Sequence, residues 1–95
     1  MKITYDDAKN ARNINERGLP FSMVKDLDWS RALIVEDDRR DYGERRFRVF
    51  GCIGERLYVA VVTFRSDAVH VISFRKANSR EVVCYGNQKA QSYID

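Results

Sequence analysis

Apolar and polar residues are arranged along this chain in a sequence of distinct patterns. Lys2-Ile3-Thr4-Tyr5 is a short β-prone run. Asp6 or Asp7 is then placed to cap a helix, with Ala8, Ala11 and Ile14 as its buried stripe and Gly18 as its stop. Pro20 opens a second helical segment in which Phe21, Val24 and Leu27 share one face. From Ser30 the period changes: Ala32–Val35 reads as a strand, and 37–44 is a charged loop containing Gly43. Arg46–Cys52 alternates, with Phe47, Val49 and Gly51 on one side and Arg46, Arg48 and Phe50 on the other. Gly54-Glu55 is a turn. Leu57–Phe64 is apolar on both faces and reads as the central strand. A turn at Ser66-Asp67 leads into a strand over Val69–Phe74. Asn78-Ser79-Arg80-Glu81 is a capping box that opens a last helix reaching about Ala90, with a frayed tail over 91–95.

The order β-α-α-β-β-β-β-α, with short gaps between the later strands, predicts an α+β fold. Its four main strands form an antiparallel sheet, with helices packed on one face. The other face is then open, or covered by a partner. The length, 95 residues, fits one domain, and 44% hydrophobic with 33% charged residues is globular composition. The longest apolar run, Leu57–Val62, is far too short for a membrane span, and the N-terminus lacks the apolar core of a secretory signal. Cys52 and Cys84 read as reduced thiols in a cytoplasmic protein. Two cysteines and one histidine in unrelated places predict no metal site, and no Gly-rich phosphate loop is present. No cofactor is expected.

Charge changes the picture. Residues 1–44 carry 8 Lys/Arg against 10 Asp/Glu, whereas residues 45–95 carry 9 against 4. Arginines outnumber lysines 12 to 5, and the planar guanidinium suits phosphate. Alternation places Val61, Thr63 and Arg65 on one strand face. On the next strand Val71, Ser73 and Arg75 share one face, and His70, Ile72 and Phe74 share the other. Glu81 and Tyr85 are one helical turn apart. Arginines with one carboxylate and one tyrosine or histidine are the groups that metal-free RNA cleavage needs. The 2′-hydroxyl must lose a proton, the 5′-oxygen must gain one, and the phosphate's extra charge must be stabilised. Each residue also has a structural reading: Glu81 as the capping-box acid, Arg65 and Arg75 as surface charges, Tyr85 as core edge, His70 as a packed histidine, Trp29 as core. Two other functions fit the same composition. One is a non-catalytic module binding nucleic acid or an acidic protein; the other is a structural subunit whose partner covers the open face.

Four segments then resemble the BrnT toxins: Tyr5-Asp6-x-x-Lys9-x-x-x-Asn13-x-x-x-x-Gly18-x-x-Phe21, Glu44-x-Arg46-Phe47-x-x-x-Gly51, Leu57-x-Val59-x-x-x-Thr63-x-Arg65, and Val71-Ile72-Ser73-x-Arg75-Lys76-Ala77-x-x-x-Glu81-x-x-x-Tyr85. The resemblance implies a RelE-like fold and an endoribonuclease toxin of a type II toxin–antitoxin system that inhibits translation and arrests growth. It implies an RNA substrate and a BrnA-like antitoxin, a ribbon-helix-helix DNA binder, in a complex of two toxins and two antitoxins, with DNA reached only through the antitoxin. Carried onto this chain, Arg65 and Arg75 would stabilise the phosphate. Lys9, Ser73, Glu81 and Tyr85 would complete the catalytic set, and Arg46, Arg48, Lys76, Arg80 and His70 would bind RNA. Arg17 stands where a histidine is usual in that family, His70 where an arginine is common, and Phe74 where alanine is frequent.

Overall fold

In the computed structural model the backbone is described for residues 1–94 and side chains through Lys89. The predicted frayed tail over 91–95 lies outside the fully described residues. Five strands form one sheet: β1 (Lys2–Tyr5), β2 (Leu33–Asp37), β3 (Arg46–Ile53), β4 (Arg56–Arg65) and β5 (Ala68–Lys76), in the order β1-β5-β4-β3-β2. β2 to β5 pair antiparallel, as their short connections predict. The N-terminal run joins the same sheet, pairing parallel with β5 (Lys2 opposite Ala68, Tyr5 opposite Val71), so the sheet is mixed. Pairing with a strand more than sixty residues away leaves no local signal in the sequence.

Helix α1 (Asp7–Arg17) starts where Asp6 accepts the Lys9 backbone N–H at 2.9 Å and ends at Gly18, whose φ of 70° suits a residue without Cβ. Its buried face is not the expected one. Ala8, Ala11 and Ile14 are exposed, and Asn13 is buried. β1 ends beside Val71, so the edge of β5 beyond that point lacks a neighbouring strand. There Asn13 Nδ2 donates to Phe74 O (3.0 Å) and to Leu19 O (2.8 Å), while Asn10 Oδ1 accepts from the Phe21 N–H (2.8 Å). The helix is attached by amides: Asn13 gives the Phe74 carbonyl the bond a neighbouring strand would otherwise make, and the other two bonds tie the helix to the segment that follows it. Replacing Asn13 by alanine strands two carbonyls and is expected to cost about 2–3 kcal/mol, read as a lower urea midpoint with unchanged m-value.

The second predicted helix is a 3₁₀ segment, Phe21–Asp26, but its apolar residues face inward as expected. Phe21, Val24 and Leu27 join Val49, Ala60, Val62, Val71 and Phe74 in the core, where Val24, Val49, Ala60, Val62 and Phe74 have no exposure. Tyr58 stacks on Phe74 at 5.2 Å. The Trp29 indole donates to Val24 O at 3.0 Å, and its ring packs against this core. A Cβ at Gly51 would lie 3.3 Å from Leu27 Cβ, so this segment approaches β3 closely because Gly51 has no side chain.

The last helix, α2 (Ser79–Ile94), opens with the predicted capping box: Asn78 Oδ1 accepts the Glu81 N–H and Glu81 Oε1 accepts the Asn78 N–H, both at 2.9 Å. It does not join the other helical segments. It starts on the opposite face of the sheet, where Leu57 and Val59 are buried, and this corrects the expectation of helices on one face. Among the described residues no helix is long and apolar enough to cross a membrane, and both cysteines are free.

Candidate functional site

The face of the sheet away from the core carries the polar groups, and its rows follow from the register. Simple alternation along β5 would put His70 and Ser73 on opposite sides. The pairing instead runs Thr63 with His70, Val62 with Val71 and Val61 with Ser73, which leaves Ile72 as an extra residue. This bulge reverses the alternation. His70, Ser73 and Arg75 therefore share the face of Val59, Val61, Thr63 and Arg65, while Val71 and Phe74 enter the core. The expected grouping of Val71 with Ser73 and Arg75, and of His70 with Phe74, is corrected by that one residue. Across the sheet, Arg48 stands opposite Val61 on the same face, and Arg46 stands opposite Asp37.

Arg65 and Arg75 thus lie on one surface but at opposite ends of the β4–β5 hairpin. Arg75 pairs across from Val59, and Arg65 is six residues further along β4, roughly 20 Å at about 3.3 Å per residue. The structure does not bring these two guanidinium groups together on one phosphate.

At the Arg75 end, Nη1 and Nη2 donate to the two oxygens of Glu81 at 2.7 and 2.9 Å. That fork and the capping-box bond hold the Glu81 carboxyl down at about 2. An acid so far below neutrality is a poor proton acceptor, and both its oxygens are occupied. Tyr85 lies one turn further, beside Cys52, and its hydroxyl donates to Arg31 O at 2.9 Å; burial raises its pKa. Lys76 and Arg80 are exposed at the junction between β5 and α2.

At the other end, His70 is partly buried and its Nδ1 is 2.8 Å from Thr4 Oγ1. Burial first, then the positive charge of Arg65, holds its pKa below the ordinary 6.5; Lys9 acts in the same direction, and Glu44 and Asp6 oppose. Its imidazole is therefore neutral at pH 7, and the Thr4 contact leaves the second ring nitrogen for other partners. Arg65 Nη2 is 3.3 Å from Glu44 Oε2. Lys9 reaches this region from α1, where it lines a concavity with Ser73 and Arg12. Arg46 stacks over the Tyr42 ring (4.2 Å) and is 3.7 Å from Glu44; Arg48 lies 5.9 Å from the Phe50 ring. Among the described residues, Arg46 Nε and Arg48 Nε are buried with no hydrogen-bond partner.

Thr4 and Tyr42 are not among the residues the sequence singles out, and the Arg39-Arg40 pair reads first as solvated loop, with RNA or protein contact as the lesser reading. Thr4 reaches His70 only through the parallel β1–β5 pairing, which no local pattern marks. Arg39 and Tyr42 sit in the 37–44 segment, whose composition reads as a solvated loop. No group of three or more His, Cys, Asp or Glu side chains among the described residues is placed to hold a metal ion.

Guanidinium groups interleaved with aromatic rings on one sheet face are the equipment of a protein that handles a polyanion. The chain belongs to the BrnT family, described as the ribonuclease toxin of type II toxin–antitoxin systems, whose model matches residues 5–81. RNA as substrate and an antitoxin protein as partner follow from that membership. No curated protein matches the chain.

Proposed function

We propose that this protein is a metal-independent endoribonuclease toxin that cuts RNA on the open sheet face through the 2′-hydroxyl. The observation that carries this reading is the placement of the His70 imidazole on the one surface where Arg65, Arg46 and Lys9 also gather. His70 takes the proton of the 2′-hydroxyl, and the 2′-oxygen attacks the phosphorus. Arg65 and Lys9 stabilise the charge that accumulates on the phosphate oxygens. The departing 5′-oxygen takes a proton from the cationic side, where the Lys9 ammonium has one to give. Arg48, and Arg75 in its Glu81 fork, hold neighbouring phosphates of the same strand. Lys76 and Arg80 extend the basic track, Ser73 lines its wall, and Tyr85 shapes its far end. A RelE-like ancestry accords with the α+β architecture. The same reading includes inhibition of translation in the cytoplasm. It also includes neutralisation by a ribbon-helix-helix, BrnA-like antitoxin in a complex of two toxins and two antitoxins.

The test is cleavage of a defined RNA by homogeneous protein in excess EDTA. Undiminished cutting that leaves 2′,3′-cyclic phosphate and 5′-hydroxyl ends is expected. Loss of cleavage in EDTA, or 3′-hydroxyl products, overturns the mechanism.

A further inference from the structure

The segment between β2 and β3 is held over the open face. Asp37 ends β2 opposite Arg46 with its side chain only 2% exposed. Its carboxylate accepts from Arg39 Nε at 2.7 Å, Arg39 Nη2 at 2.8 Å and the Tyr42 hydroxyl at 3.3 Å. Arg39 itself is 64% exposed, and its charge is close enough to Arg75 to be felt there. Burying a carboxylate costs desolvation energy, and an ion pair with so exposed a partner returns little of it as stability. What the arrangement achieves is geometric. One edge of the guanidinium, Nε with Nη2, is clamped, so Nη1 keeps free donors in a fixed direction. Beneath the same segment, Tyr42 carries Arg46 on its ring, and Arg46 Nε is 3.7 Å from Glu44 Oε1. The exposed, pre-aimed donors of Arg39 suit an anion with several oxygens.

We infer that Arg39 is a second phosphate-holding residue for the RNA strand and that Asp37 positions it. This rests on the proposed ribonuclease reading. The clamp fits a nucleic acid because it presents a fixed guanidinium edge, whose parallel N–H donors match phosphate oxygens.

The experiment measures binding of an RNA oligonucleotide with 2′-O-methyl riboses, which the proposed chemistry cannot cut, by fluorescence anisotropy at several salt concentrations. Arg39→Ala is expected to weaken binding about tenfold and to flatten the slope of log K against log salt by about 0.7, as expected when one cation no longer neutralises a phosphate of a single strand. On a cleavable RNA it should raise KM with kcat within about twofold. Asp37→Asn should reproduce the loss, and the double variant should add nothing further. Arg39→Lys, which keeps the charge but not the fork, should fall between. Far-UV circular dichroism establishes that each variant is folded. If Asp37→Asn does not fold, the Arg39→Ala result decides. Affinity and slope equal to wild type in Arg39→Ala overturn the inference while leaving the ribonuclease reading intact. So does a variant that binds RNA normally but no longer holds the antitoxin. A wild-type protein that neither binds nor cuts RNA overturns both.

Discussion

Replacing His70 by alanine is expected to slow RNA cleavage by about 10²–10⁴-fold, the range associated with losing a positioned proton-transfer group. The chain contains no other imidazole to take its place. Binding of an uncleavable RNA should change little, so the loss belongs in kcat and not in KM. The sign of the pH dependence follows from the environment. A general base works only when neutral, and burial together with Arg65 and Lys9 pushes the imidazole below its ordinary 6.5. The acidic limb of the wild-type profile should therefore have its midpoint below 6.5, with a plateau through neutrality. Thr4→Val removes the ring's oriented contact and should lower kcat by a smaller factor than His70→Ala. Single-turnover cleavage of an end-labelled RNA from pH 4.5 to 8 measures all three. An alanine variant that cuts like wild type removes His70 from the chemistry.

The second large effect is an asymmetry between two arginines that the sequence treats alike. Arg65 is one row from His70, so Arg65→Ala should lower kcat by about 10²–10³-fold, comparable to losing one donor to a developing oxyanion. Arg75 is roughly 20 Å from Arg65 along the hairpin, so Arg75→Ala should chiefly weaken binding and flatten its salt dependence. Glu81 belongs with Arg75. Ionised down to about 2, it should contribute no limb to the rate profile near 4.5, and Glu81→Gln should follow Arg75→Ala rather than His70→Ala. Equal kcat losses in the two arginine variants would place the reacting phosphate elsewhere on the face.

Much of this arrangement was legible in the residues. The strands from Ala32 onward, the Asp6 cap, the Gly18 stop and the Asn78–Glu81 capping box follow from local preferences, and local preferences survive into the fold. What failed depended on non-local pairing. The parallel seating of β1 is decided by β5, so Thr4 gave no sign of meeting His70. The stripe of Ala8, Ala11 and Ile14 read as the inward face of α1. The actual inward groups are Asn10 and Asn13, because the β5 edge and the backbone that follows the helix ask for hydrogen bonds before they ask for methyl groups. The site is split the same way. The residue types were visible, whereas the distance separating Arg65 from Arg75, the neutral state of His70 and the clamp on Arg39 required the register.

Ile72 makes the two ends of β5 independent in handedness of display. Counting by twos from His70 would deliver Arg75 to the interior and Phe74 to the solvent; one surplus residue cancels that arithmetic. Deleting Ile72 itself would leave a regular strand with His70, Ser73 and Arg75 still on one face, whereas straightening the bulge at full length would turn Ser73 and Arg75 inward and Phe74 outward. The register of this strand is therefore as consequential for the surface chemistry as any replacement of an arginine.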